Sequence, residues 1–295
     1  MNKIKVYLPI LGLLAILAFI YRPSINELIY DWSNDDNYSH GFLIPVLAGW
    51  FVWQKKDELQ QMRIKPNLFG LVFLLFGLAM LIAGTASAEW FLTRSSMIIV
   101  LAGITLYWGG VKIFKAVWFP LLFLFFMIPI PYVIYYNLTF PMQLFASKAS
   151  TFLLQATGFS ILRQGNILHL ANYSLEVAEA CSGLRSLMTL TALGAAMAYM
   201  LQTNPVCAFL HFAASVPIAI GANVFRILMT AYGAVLISPD IAEGFLHEIS
   251  GLVVFVIGFA TLGITGIILS KISKLFTDEK PVTMMEPSKS EGDVK

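Results

Sequence analysis

The sequence predicts an all-α, polytopic membrane protein with about eight transmembrane helices, and three observations carry that expectation. Of its 295 residues, 58% are apolar and only 12% are charged, whereas an ordinary soluble domain carries about a quarter charged residues. The mean hydropathy is +0.76. The apolar residues come in long unbroken runs, not in the alternating ten-residue segments of a membrane β-barrel. A cytosolic enzyme is excluded on these grounds. The net charge of +2 gives no reason to expect a nucleic-acid partner, and two cysteines cannot build a disulfide framework.

A helix rises about 1.5 Å per residue, so a span needs roughly 20 apolar residues. The candidate spans are residues 6–21, 41–54, 67–84, 95–111, 117–136, 182–201, 206–236 and 248–270. The first follows Lys3 and Lys5 and is succeeded by Tyr21, Arg22 and Pro23 rather than small residues, so it reads as an uncleaved anchor. The second is short and needs Tyr38 to His40 as an extension, unless it is re-entrant. The seventh is long and carries Pro217 and Gly221, where a kink is expected.

Between the fifth and sixth spans lies a connection from Asn137 to Ala180. In it Phe145, Ala149, Phe152, Leu153 and Ala156 recur at helical spacing, with Gln143, Ser147, Ser150 and Thr151 opposite. This pattern predicts a helix lying in the membrane interface. Residues 161–177 follow as a small hairpin with its turn at Asn172. The chain thus divides into an integral membrane domain, residues 1–270, and a polar tail, residues 271–295, expected to be a disordered cytoplasmic end.

Loop cations set orientation. With the N-terminus inside, 13 Lys and Arg fall in inner segments and 4 (Arg22, Arg94, Lys148 and Arg163) in outer ones. This supports both termini in the cytoplasm of a multi-pass protein of the cell's inner membrane. Arg185 and Arg226 lie within apolar spans.

Ionisable groups at membrane depth mark functional sites. Cys181 lies about 32 Å before the inner turn at Gln202, Arg226 about 30 Å beyond Val206, and His247 about 36 Å before Lys271, at the helical rise per residue. The hydrocarbon core is about 30 Å thick. All three therefore fall near the outer interface on consecutive spans, where neighbours tend to pack. A thiolate attacks an acyl carbon, a histidine handles its proton, and a cation favours the thiolate or an oxyanion. Arg keeps its charge even when desolvated.

Other candidates are weaker. Cys207 and His211 lie at the inner end of the seventh span and read as structural. His169 reads as a solvated side chain of the hairpin. Arg185, four residues after Cys181, either supports Cys181 or neutralises Glu179. Asp31, Asp35, Asp36 and His40 match no metal-binding register and read as a solvated outer loop. No metal or other cofactor is expected.

The strings Glu179-Ala180-Cys181-Ser182-Gly183-Leu184-Arg185-Ser186-Leu187, Asn223-Val224-Phe225-Arg226-Ile227 and His247-Glu248-Ile249-Ser250-Gly251 resemble the exosortase/archaeosortase family of membrane cysteine transpeptidases in order and spacing. Tyr38-Ser39-His40-Gly41 and Pro129 to Gln143, leading into Gly165-Asn166, add to the resemblance, which covers roughly residues 31–270. The long interfacial segment and the tail incline it to the bacterial branch.

The resemblance implies Cys181 as nucleophile with Arg226 and His247 as catalytic partners, and Ser182 and Asn223 as supporting neighbours. It implies as substrates exported proteins with a C-terminal sorting signal of the PEP type: a short motif, one transmembrane helix and basic residues. Cleavage outside the membrane would be followed by transfer to an acceptor nucleophile, in company with exopolysaccharide production. Two rival readings exist. A transporter would spread ionisable residues through the membrane's depth, and a non-catalytic subunit of an exopolysaccharide exporter would tolerate Cys181→Ser.

Overall fold

The computed structural model describes residues 12–13, 15–170, 174–177, 184–238 and 245–276. The helical residues 15–20 lead through a turn at Tyr21 into α1 (Arg22–Asn34), a 3₁₀ segment (Asp36–Phe42) and α2 (Leu43–Gln54). Next come α3 (Lys56–Gln61), α4 (Phe69–Ala86), α5 (Trp90–Ile104), a π turn (Thr105–Gly109), α6 (Gly110–Phe123) and a second 3₁₀ turn (Leu124–Met127). Then α7 (Tyr132–Ala156), strands β1 (Leu162–Gln164), β2 (Ile167–His169) and β3 (Ser174–Glu176), and α8 (Leu184–Leu201), α9 (Pro205–Leu236) and α10 (Phe245–Phe276) complete the described chain.

Among the described residues, four helical stretches are long and apolar enough to cross a membrane: Phe69–Ala86, Trp90–Met127, Pro205–Leu236 and Ile249–Lys274. The chain is an all-α membrane protein, with one small sheet. The 38 residues of Trp90–Met127 would reach about 57 Å as one straight helix, well beyond the hydrocarbon core. Gly110 breaks that rod. Its φ of +77° and ψ of −179° are not helical, and only glycine takes them without strain. A Cβ there would also meet the Lys65 carbonyl oxygen. On either side of the break the partners differ: α5 packs on α4, and α6 on α2.

The α4–α5 hairpin is closed by glycine. The buried residues of α4 are Gly70, Gly77 and Gly84, spaced at sevens along one seam. A Cβ on Gly70 would lie 2.3 Å from the Tyr107 backbone nitrogen, so the two chains touch backbone to backbone. Such close approach is how helices pack where lipid removes the hydrophobic drive between them. Gly70→Val is therefore expected to cost about 1–3 kcal/mol through overpacking. The check is a lower thermal midpoint in detergent, with Leu75→Val on the exposed side of α4 nearly silent.

Three clusters build the interior. Leu28, Trp32, Tyr38, Ile44, Phe51, Ile98, Phe123 and Ala192 join α1, α2, α5, α6 and α8. Ala146, Leu154, Leu168, Leu175, Val224 and Ile227 join α7, the sheet and α9. Leu190, Ala219 and Leu262 join α8, α9 and α10.

Several expectations change. The first helical run turns at Tyr21, where the first span was expected to end, and a further helix, α1, starts at Arg22 with Pro at its first turn, where the missing N–H costs nothing. The fifth expected span, 117–136, ends at Met127, because Pro129 and Pro131 lie in an extended link before α7. The helix expected to lie in the interface is longer, Tyr132–Ala156, and its polar side is covered by protein. Gln143, Ser147, Ser150 and Thr151 are buried, while Phe145, Phe152 and Leu153 are exposed. Ser147 Oγ donates to the Gly165 carbonyl at 3.0 Å. Polar groups of a helix in apolar surroundings must find partners within the protein.

The expected hairpin is a three-stranded antiparallel meander in the order β1-β2-β3. Its first turn is Gly165-Asn166, with Gly165 at φ +63°, and Asn172 lies outside the described residues. Helix α9 runs unbroken through Pro217.

Candidate active site

Antiparallel register fixes which parts of α8, α9 and α10 share a level. Gly194 packs against Ser215, and Leu190 clusters with Ala219. Four residues back along α8 thus match four forward along α9. Cys181 and Ser182 precede α8 in the sequence and lie outside the described residues.

Arg226 is only 7% exposed. Its Nε donates to Ser250 Oγ at 3.3 Å, and its guanidinium lies over Gly251, where an added Cβ would sit 3.7 Å from Nη2. Position 247 is four residues before Gly251, one turn along the same face of α10. The helix backbone there is described and the His247 side chain is not. Asn223 and Ser250 are buried beside Arg226 at 2% and 1% exposure, and Thr230 Oγ1 donates to the Arg226 carbonyl at 3.0 Å. The structure thus brings Arg226 and the face of α10 that carries position 247 together.

The 3₁₀ segment Asp36–Phe42 forms a platform at the same end of α8. Asp35 caps it by accepting from the Asn37 N–H at 2.9 Å. Trp32 Nε1 donates to the Met127 carbonyl at 2.8 Å, and the Ile130 N–H donates to Tyr38 Oη at 3.2 Å. Gly41 lies flat under Trp32: a Cβ would fall 2.2 Å from Nε1. A cavity of about 290 Å³ opens beside the platform between Asp31, Asp35, Tyr38, Tyr132 and Tyr135.

The acidic stretch is solvated only in part: Asp36 is exposed, Asp31 and Asp35 are half-buried and His40 is buried. Asp31 pairs with the buried Arg94 at 2.7 Å. Asp36 pairs with Arg185 at 3.0 Å, so Arg185 has a partner other than the two anticipated for it. Among the described residues, no three His, Cys, Asp or Glu side chains come together as a metal site.

Both Cys207 and His211 are buried, with His211 Nε2 3.1 Å from the Leu262 carbonyl, in keeping with structural roles. His169 is not merely solvated. It bridges the sheet, Nδ1 2.8 Å from Ser174 Oγ and Nε2 3.2 Å from Gln164 Oε1. The two ion pairs were not visible in local spacing, since their partners lie far apart in the chain.

The fold and this polar end of the bundle define a polytopic helical membrane protein with a buried cationic site at the end of three packed helices. A family description, transmembrane exosortase, matches residues 32–264. The chain belongs to the transmembrane exosortase family. No curated protein and no solved structure matches it.

Proposed function

We propose that the chain is a membrane cysteine protease and transpeptidase. It cleaves C-terminal sorting signals of the PEP type from exported proteins at the outer face of the cytoplasmic membrane. In this reading the chain crosses the bilayer eight times with both termini inside, residues 1–270 forming the membrane domain and 271–295 a cytoplasmic tail. The observation that carries it is the placement of Arg226. A desolvated guanidinium is held against the Ser250–Gly251 turn of α10, one turn from position 247.

The chemistry follows from the residue types. A substrate anchored by one helix diffuses in the membrane plane and presents its peptide bond at the interface, so a nucleophile at that depth meets it already oriented. The Cys181 thiolate attacks the scissile carbonyl, and Arg226 stabilises the oxyanion that develops. His247 protonates the leaving amine as the C–N bond breaks and a thioester forms. An acceptor amine then attacks the thioester, gives up its proton to the now neutral His247, and the C–S bond breaks to release the thiolate. The lipid bilayer is the medium in which enzyme and substrate meet.

The test is co-expression of the chain with an exported reporter bearing such a signal. A gel shift to a smaller, membrane-released product is expected. A reporter that keeps its full mass with and without the chain would overturn the reading.

A further inference from the structure

The geometry points to the Asp36–Arg185 pair as a latch that positions the nucleophile. This rests on the reading of Cys181 as that nucleophile. Arg185 stands four residues after Cys181 in sequence, in the first turn of α8. Its Nη2 donates to Asp36 Oδ2 at 3.0 Å across 149 residues of chain. Asp36 opens the 3₁₀ platform, and the platform is fixed from several sides: the Asp35 cap, the Trp32 bond to the Met127 carbonyl, the Tyr38 bond to the Ile130 N–H, and Gly41 pressed on Trp32. A rigid support on one side and the start of α8 on the other are thus joined by one ion pair.

The pair's side chains are 45% and 80% exposed. Exposed pairs add little to global stability. What this one fixes is local, namely where the chain enters α8. With its charge already matched by Asp36, Arg185 is a positioning residue rather than the source of charge for a thiolate. The cation placed for the chemistry is Arg226, which is buried and bonded to Ser250 of α10.

The two roles for Arg185 are separated by exchanging the charges. Asp36→Arg and Arg185→Asp each replace attraction by repulsion, and each is expected to lower reporter processing about fivefold per inserted molecule. The double variant Asp36→Arg/Arg185→Asp restores the pair in reverse, and processing should return to within about twofold of wild type, as coupled neighbours do. It also sets a carboxylate four residues from Cys181. Had Arg185 served by lending positive charge to the thiol, the double variant would stay as poor as the singles, and that result overturns the latch.

The rate of Cys181 alkylation by a membrane-impermeant maleimide, read in Cys207→Ala versions of all four proteins, gives a second measure that needs no substrate. It should follow the same pattern of loss and rescue, and unchanged rates in the single variants would also overturn the latch. A Cys181→Ala arm keeps the two readings apart. Processing that persists there removes the nucleophile. A dead Cys181→Ala beside an unrescued double variant removes the latch alone.

Discussion

Cys181→Ala should abolish reporter processing while the protein still inserts and accumulates. The sulfur is the atom that bonds to the acyl group, and neither a methyl group nor the remaining cationic site can replace a nucleophile. A fall of at least about 1,000-fold, to the background of cells without the enzyme, is the expected scale when a covalent step is lost. Cys207→Ala should change processing by less than about twofold. Cys207 is buried at the start of α9, toward the far end of that helix from Arg226, where a small apolar group serves as well as a thiol. The measurement is the ratio of processed to intact reporter, normalised to membrane-inserted enzyme. Wild-type processing by Cys181→Ala would remove this residue from the mechanism.

Arg226→Lys should lose about 100- to 1,000-fold in turnover, the usual cost of removing one oxyanion donor. An ammonium ion carries the same charge but not the planar fork of donors. Arg226 is bonded from Nε to Ser250, and its guanidinium lies close to Gly251, where an added Cβ would sit 3.7 Å from Nη2. Such a seat orients a flat group and leaves a point charge loose. If the charge alone sustained the thiolate, the Lys variant would keep most of its activity. The pH dependence of Cys181 alkylation separates the roles. In Arg226→Ala, an unchanged profile would show that the guanidinium does not govern thiol ionisation. Near-wild-type turnover in Arg226→Lys would dismiss the oxyanion role.

The membrane character was legible in the sequence because it is written in composition and run length. Counting residues at constant rise set Arg226 and position 247 at one depth as an expectation, and the structure shows Arg226 bonded to Ser250 of α10. Boundaries read less well where proline has two meanings. Pro23 begins a helix, whereas Pro129 and Pro131 accompany the end of one, and only the surrounding packing tells them apart. Periodicity found the two faces of α7, but not that protein covers the polar one. An amphipathic pattern states that the faces differ, and what surrounds the helix decides what each one meets.

Long-range polar pairs were illegible for a plainer reason. Asp31 with Arg94 and Asp36 with Arg185 depend on tertiary proximity that no local spacing encodes. The parts of the proposed triad that depend on Cys181 and on the His247 side chain lie outside the described residues, and their roles rest on motif and register.

The glycine seam of α4 divides that helix into two regimes of substitution tolerance. Along the seam, identity is dictated by a neighbouring backbone, and even the smallest side chain is too much at Gly70. Away from it, Leu71, Val72, Leu75, Phe76 and Ile82 present their surfaces outward, where lipid tails accept any apolar shape. Drift among related chains should therefore be nearly free over most of α4 and almost frozen once every seven residues. A helix that looks featureless by hydropathy carries its information in the residues with no side chain.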